Sequence, residues 1–184
     1  YPNEKDIEDE PRTANTVDMG ADEVCEVCNT SANPVVWYDN IQDAIDAASE
    51  GDSIVVYEWT FSESIDIGDV NVVLTSTDPN NWNVVACTVI DADDSNTDVV
   101  VFDSGQDASC ILRGLTITGG KDGVDCSGSS SPTIESCFIK ANSAAGIDCT
   151  PGSPLISRCK IGENSGDGIS SSATTPPVIK NNVI

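Results

Sequence analysis

The stretch SPTIESCFIKANSAAGIDCTPG (131–152) is followed directly by SPLISRCKIGENSGDGISSSAT (153–174), and the second is a near-copy of the first. A proline, a cysteine and a Gly-Ile pair recur at matched places, and Cys137 and Cys159 are 22 residues apart. A weaker copy, CILRGLTITGGKDGVDC (110–126), precedes them. A short fixed period is typical of a solenoid, in which each repeat forms one coil and stacking of the coils buries the core.

Two kinds of solenoid fit this period. Leucine-rich repeats need apolar residues and an asparagine at the spacing that Ile134, Cys137, Ile139 and Asn142 provide. The rest of the repeat, SAAGIDCTPGSP, contains Gly and Pro but almost no helix formers, and Ile147 begins a second strand-like pattern. The sequence therefore favours a parallel β-helix, whose coils contain only short strands and turns.

The repeat also predicts which residues stack in neighbouring coils. Two inward columns are expected: Leu112, Ile134, Ile156 and Ile179 in the first, and Val124, Ile147 and Ile169 in the second. On the outer surface, Arg113 is expected above Glu135, as a cross-strand ion pair of small energy.

The chain divides into an acidic arm or linker at 1–36 and a β-helix at 37–184. Apolar residues recur at helical spacing from Ile41 to Ala48, which predicts a short helix over 39–50 with Asp39 as its N-cap. This helix is expected to lie across the first coil and to shield its strand edges. No further helical pattern follows.

The charge balance excludes some partners. The 184 residues include 8 Lys and Arg, 31 Asp and Glu and no histidine, so the net charge is −23. Such a chain is unsuited to nucleic acid, which needs a basic face, and to anionic membrane surfaces. No apolar run approaches the roughly 20 residues of a membrane-spanning helix.

Eight cysteines, together with Gly-, Ser- and Asn-rich loops, indicate an oxidising compartment, so we expect an extracellular or cell-surface location. The candidate disulfides are Cys25–Cys28, Cys126–Cys149 and Cys137–Cys159, with Cys87 and Cys110 as the remaining pair. The alternative is a column of buried thiols, since cysteine packs as a small apolar residue. Asn29 begins an Asn-Thr-Ser glycosylation motif.

Acidic clusters give weak candidates for a metal site. Asp91, Asp93, Asp94 and Asp98 are the candidate calcium ligands, because calcium needs several converging oxygen atoms. No cofactor other than calcium is predicted. A second polar cluster contains Lys121, Asp122 and Asp125, with Asp148 expected one coil away from Asp125. The alternative for both clusters is a solvated acidic face.

A family resemblance is carried by IQDAIDAASEGDSIVVYEWTFSESIDI (41–67), by CILRGLTITGG and by the repeated coils. Together they resemble the secreted bacterial right-handed parallel β-helix proteins of the pectin-lyase-like superfamily. The resemblance implies a right-handed coil, and it covers about residues 37–184. The segment EPRTANTVDMGADE (10–23) is similar to the closing segment of such domains.

The superfamily includes polysaccharide lyases and hydrolases as well as adhesins, so fold alone does not define function. Asn96-Thr97-Asp98 matches a short polygalacturonase motif, but the Gly-His-Gly motif of those enzymes cannot exist in a chain without histidine. Arg158-Cys159-Lys160 has the spacing of their Arg-x-Lys motif, yet it lies within a repeated coil. We therefore assign no catalytic residue and leave enzymatic activity as the less favoured alternative.

The leading hypothesis is a non-enzymatic extracellular structural or adhesive protein. Because both ends of the β-helix look unfinished, a filament is expected in which the arm of one copy caps the last coil of the next. The alternatives are a polysaccharide-active lyase-like or hydrolase-like protein, a carbohydrate-binding β-helix using Trp37, Trp59 or Trp82, and a fragment of a longer chain.

Overall fold

The computed structural model describes residues 27–184, so the closing-segment prediction at 10–23 and Cys25 lie outside the described residues. The described part begins with β1 (Val27–Asn29), β2 (Val36–Tyr38) and the helix α1 (Ile41–Asp46). Within 27–184, no helix has the length and apolar character needed to cross a membrane.

Five complete coils follow, each made of three short strands. The first coil contains β3 (Ser53–Val56), β4 (Thr60–Phe61) and β5 (Ile65–Asp66). The second contains β6 (Val73–Ser76), the helix α2 (Trp82–Cys87), β7 (Val89–Asp91) and β8 (Val100–Phe102). The third contains β9 (Ile111–Arg113), β10 (Thr116–Thr118) and β11 (Val124–Cys126). The fourth contains β12 (Thr133–Glu135), β13 (Phe138–Lys140) and β14 (Ile147–Asp148). The fifth contains β15 (Leu155–Ser157), β16 (Lys160–Gly162) and β17 (Ile169–Ser170), and β18 (Val178–Lys180) begins a sixth.

Each coil adds one strand to each of three parallel sheets. Sheet 1 contains the first strands of the coils, from β3 to β18, sheet 2 runs from β4 to β16, and sheet 3 from β5 to β17. β1 joins sheet 1 antiparallel to β3, and β2 pairs with the other edge of β1. The predicted all-β parallel β-helix is therefore confirmed.

The predicted inward columns are also confirmed. Leu112 pairs with Ile134, Ile134 with Ile156, and Ile156 with Ile179. In sheet 3, Ile147 pairs with residues of the coils on both sides. Except at the last strands, these side chains are buried in one continuous core. Stacking of coils, each too small to bury its own apolar residues, is what forms this core.

The outer column at Arg113 differs from the prediction. Arg113 and Glu135 are paired in register, as expected. However, Arg113 Nε donates to Thr75 Oγ1 in the preceding coil, at 3.1 Å. Glu135 instead forms its ion pair with Arg158 of the following coil, at 2.6 Å. The ion-pair prediction was wrong because a long guanidinium side chain can reach a strand on either side.

The first helix is shorter than the predicted 39–50 and begins at Ile41, two residues later. Its N-cap is Asn40, whose side chain accepts a hydrogen bond from Asp43 N, and not Asp39. Ile41, Ala44 and Ile45 are buried in the core, and the helix contacts strands of sheet 1 and β5. The helix therefore covers the first coil. The segment 27–36, predicted as part of the arm, contributes β1 and the start of β2 to sheet 1.

Candidate functional site

The outer face of sheet 3 carries two aspartates in neighbouring coils. Asp125 of β11 pairs in register with Asp148 of β14, as the repeat predicted. Strands in a sheet are about 4.8 Å apart, so the two carboxylates lie close together on the same face. Asp148 Oδ1 is buried without a hydrogen-bond partner, whereas Asp125 Oδ2 accepts from Ser127 Oγ at 2.8 Å.

Burial raises the pKa of Asp125, because the charged form loses hydration. Ser127 opposes this shift by donating to the carboxylate, while the charges of Asp98 and Asp148 raise the pKa further. A carboxyl group with a raised pKa beside a second carboxylate is one arrangement found in acid–base catalysis.

Lys121 holds the neighbouring acidic residues in place. Its ammonium group lies 2.8 Å from Asp122 Oδ2 and 3.2 Å from Asp98 Oδ1. The other oxygen of Asp122 accepts from Ala145 N in the next coil, at 2.7 Å. Hydrogen bonds from Lys121 to both carboxylates raise the lysine pKa, so the amine stays protonated and is not a base at neutral pH. This predicted polar cluster therefore links neighbouring coils through side-chain contacts.

The outer face of sheet 2 combines aromatic rings with lysines. Lys160 Nζ lies 3.9 Å from the centre of the Trp82 ring, and Lys140 Nζ lies 4.9 Å from the Phe138 ring. Phe138 and Lys160 are paired in register, so the two contacts adjoin. The helix α2 holds Trp82 in position and packs on β10, where Thr116 Oγ1 donates to Val85 O. The sequence pattern did not predict α2 or, therefore, this surface.

Three of the four aspartates predicted to bind calcium have separate hydrogen-bonding partners. Asp91 accepts from Asp93 N, and Asp98 binds Lys121. Asp94 accepts from Asn96 and Thr97, which places the Asn-Thr-Asp motif in a turn. Among residues 27–184, no group of three or more His, Cys, Asp or Glu side chains is arranged to hold a metal ion. The calcium site stays a prediction without a geometric basis in this part of the chain.

The two ends of the solenoid carry most of the exposed large apolar side chains. Near one end these are Val35 and Val36 at β2 and Tyr57 and Trp59 in the first coil, and at the last described strands they are Val178, Ile179, Val183 and Ile184. Of the nine such residues among 27–184, only Trp82 lies on a flank. In this part of the chain, the exposed large apolar side chains therefore lie mainly near the first and the last described strands.

The charge is also distributed unevenly along the solenoid axis. Residues 27–112, which form β1, β2 and the first two coils, contain sixteen Asp and Glu and no Lys or Arg. Residues 113–184 contain six of each kind. One half is thus strongly negative and the other neutral, with Lys140, Lys160 and Lys180 in its last strands. The sequence alone shows this difference in charge, but only the order of the coils places it along the solenoid axis.

Comparison with known proteins agrees with this architecture. A family model described as the right-handed β-helix region matches residues 71–184. The chain belongs to this β-helix family. The match adds the right-handed sense of the coil to the parallel stacking seen in the structure. No curated protein and no solved structure matches the chain.

Seven cysteines of this β-helix lie in the described residues, and all carry free thiols. Cys28, on β1, is buried against the first coil. Cys87 is exposed at the end of α2, whereas Cys110 is buried directly before β9. The register of sheet 1 puts Cys110 between Val72 and Pro132, not beside Cys87. The other four occupy matched places in neighbouring coils, as predicted.

The glycosylation candidate Asn29 lies on β1. It is buried, and its Nδ2 donates to Asp52 Oδ2 at 2.7 Å. Glycan attachment to the folded protein would have to break this contact.

A cleft of about 220 Å³ lies between α1 and the loop at 67–70. Its volume is below the roughly 300–1,000 Å³ of typical ligand pockets.

Proposed function

We propose that the protein is a non-enzymatic structural solenoid that acts outside the cell or at its surface and associates with its own copies end to end. The observation that carries the proposal is the uneven charge along the solenoid axis. Residues 27–112 contain sixteen Asp and Glu and no Lys or Arg, whereas residues 113–184 contain six of each kind.

The charge distribution favours contact between unlike ends. The segment 27–112, with sixteen carboxylates, would repel a second copy of itself. The strands at the other end contain Lys160 and Lys180, both exposed. A head-to-tail contact brings the lysines of one copy to the acidic coils of the next. Such a contact is heterologous, so it can repeat and form a filament.

Strand edges supply the polar part of the proposed contact. Sheet 1 has β2 at one edge and β18 at the other. Open edges carry unpaired N–H and C=O groups, which bind further strands by β-addition. Residues 1–26 contain nine Asp and Glu against two Lys and Arg, and they precede β1. This acidic segment is the proposed partner of the lysine-bearing end.

Sedimentation velocity tests this proposal. The full chain is expected to form concentration-dependent oligomers in dilute buffer. The variant Lys160→Gln/Lys180→Gln is expected to remain monomeric, because both lysines are exposed and their loss leaves the core intact. Asn80→Asp/Asn83→Asp is the matched control, because it changes the net charge equally at exposed positions on the second coil. Equal oligomer formation by both variants would contradict the electrostatic contact.

Deletion of residues 1–26 tests the acidic segment separately. The deletion stops before Val27 because β1 is part of sheet 1. The shortened protein is expected to keep its circular dichroism spectrum and to lose self-association. Oligomers of unchanged size would exclude this segment as the partner.

A polysaccharide-active or carbohydrate-binding β-helix is the second candidate. The Asp125–Asp148 pair and the surface of Trp82, Phe138, Lys140 and Lys160 support it. Aromatic rings stack on sugars, and ammonium groups pair with acidic ones. Affinity electrophoresis in gels that contain acidic polysaccharide, with and without calcium, tests this function. Retardation that Lys140→Gln abolishes would support it, and unchanged mobility in all gels would contradict it.

A further inference from the structure

Four buried cysteines form two pairs across neighbouring coils. Cys126 and Cys149 directly follow Asp125 and Asp148, which are paired in register. Cys137 and Cys159 directly precede Phe138 and Lys160, which are also paired. Strand spacing in a sheet is about 4.8 Å, and disulfides need Cα atoms about 4.4–6.8 Å apart. The coil register therefore brings each pair within disulfide range.

At the positions matched to these cysteines, other coils have large apolar residues. Burial alone therefore does not require cysteine. In the column that contains Cys126 and Cys149, Phe102 of the preceding coil is the register partner of Cys126. In the column that contains Cys137 and Cys159, the third coil has Leu115. Leu115 directly precedes Thr116, just as Cys137 directly precedes Phe138, and Thr116 and Phe138 are paired in register. Large apolar residues thus fit these columns. Cysteine nevertheless occurs in both of them as one adjacent pair.

We propose that Cys126–Cys149 and Cys137–Cys159 are paired modification sites that oxidise to two disulfides between coils. The first would join the third coil to the fourth, and the second the fourth to the fifth. Because Cys137 and Cys149 belong to the same coil, the two bonds would link three successive coils. Among residues 27–184, Cys87 on α2 and Cys110, between Val72 and Pro132, have no cysteine as register partner and would stay reduced.

Oxidation occurs by exchange with a small-molecule disulfide. The thiolate of Cys159 attacks one sulfur of that disulfide and releases one small thiol. The thiolate of Cys137 then attacks the Cys159 sulfur and releases the second small thiol. Two protein thiols are oxidised, one external disulfide is reduced, and the two protons go to the released thiolates. The same sequence applies to Cys126 and Cys149.

Burial determines when this exchange can occur. All four side chains are at most 1% exposed in the folded protein. Burial raises the pKa of Cys149 to about 12 and raises that of Cys126 well above its ordinary value. Folded, reduced protein therefore reacts slowly, because an external disulfide does not reach the buried sulfur atoms and because Cys126 and Cys149 are rarely thiolates, which is the nucleophilic form. Exchange takes place while the coils are stacking, and the register selects the partners.

Peptide mapping of protein refolded with reduced and oxidised glutathione tests the proposal. Free thiols are alkylated in denaturant, and the chain is cleaved after Lys and Arg and after Glu135. Because Glu135 separates Cys126 from Cys137 and Arg158 separates Cys149 from Cys159, each proposed bond gives a distinct linked pair of peptides. We expect 122–135 linked to 141–158, and 136–140 linked to 159–160.

Variants and the reduced protein serve as controls. Cys137→Ser is expected to abolish only the second linked pair, and Cys87→Ser is expected to leave both intact. Wild-type protein refolded with a reducing agent should show neither. Complete alkylation of the four cysteines after oxidative refolding, or links that join other partners, would overturn the proposal. This result does not depend on the folding of any variant.

Discussion

Asn164 accepts two hydrogen bonds from Asn142 in the preceding coil, from the backbone N and from Nδ2, both at 3.0 Å. Asn142 in turn accepts from Gly120 N at 3.1 Å. Asn142 is buried, so these amides satisfy backbone groups that water cannot reach. The repeated asparagine of the sequence is therefore a column of hydrogen bonds across three coils.

Replacing Asn164 by Ala should destabilise the protein by about 1–3 kcal/mol, because Asn142 would lose its acceptor and a buried polar group without a partner is costly. Urea unfolding followed by circular dichroism measures this change. Asn80→Ala at an exposed turn is the control and should have little effect. Equal unfolding midpoints for the two variants would contradict the role of the column.

The repeated Gly-Ile pair gives a second prediction. A Cβ atom at Gly146 would lie 2.6 Å from Ile161 Cγ2 and 2.7 Å from Gly168 O. Gly146→Ala should therefore cost about 1–3 kcal/mol through overpacking. Gly162→Ala is the matched control, since a Cβ atom there would meet nothing within 4 Å. Equal losses of stability in Gly162→Ala and Gly146→Ala would contradict the close approach of neighbouring coils at Gly146.

Asp125 gives a prediction about pH. Its pKa is raised above the ordinary value of 3.8 in the folded protein, so the folded state binds the proton more readily than the unfolded chain. The charged form therefore destabilises the fold above the raised pKa, and this penalty is relieved as the pH falls through it. Asp125→Asn should raise the melting temperature at pH 7 and have a smaller effect near pH 4.

We expect the increase at pH 7 to shrink as the pH falls toward 3.8, because the wild-type carboxyl is then protonated in the folded protein. Differential scanning calorimetry at both pH values measures it. Asp69→Asn removes the same charge at an exposed site and is the control. A lower melting temperature for Asp125→Asn than for wild type at pH 7 would mean that the carboxylate stabilises the fold.

Salt should stabilise the monomeric protein. The sixteen carboxylates of residues 27–112 repel one another without any Lys or Arg between them. Raising the ionic strength shortens the Debye length to about 4 Å near 0.5 M and weakens this repulsion. The melting temperature of the Lys160→Gln/Lys180→Gln variant should rise with sodium and choline chloride alike. A fall in both salts would show that attractive ion pairs dominate instead.

Calcium can be compared with magnesium in the same assay. Because no carboxylate cluster among residues 27–184 is arranged to hold a metal ion, the two cations should give equal shifts at equal ionic strength. A larger shift with calcium that Asp91→Asn removes would support the calcium site predicted from the sequence.

The coil register could be predicted from the sequence because a 22-residue period leaves little freedom in stacking: Ile134, Ile156 and their partners pair as the spacing requires. Side-chain choices within that register were less predictable. Arg113 can reach Thr75 or Glu135 equally well, and packing determines the outcome. Asp39 and Asn40 are both good N-cap residues, so the helix start was uncertain by one position.

Two elements were missed for different reasons. α2 has six residues, too few to show helical periodicity, and it lies in the turn between β6 and β7. β1 has three residues and follows a strongly acidic segment, so composition indicated an arm. Both matter for function, because α2 positions Trp82 and β1 extends sheet 1 toward the acidic end.

End-to-end association can be observed by electron microscopy of the purified full chain in dilute buffer. We expect unbranched filaments one solenoid wide, and single particles in the Lys160→Gln/Lys180→Gln variant. Single particles of wild-type protein at every concentration, or lateral aggregates without a filament axis, would contradict it.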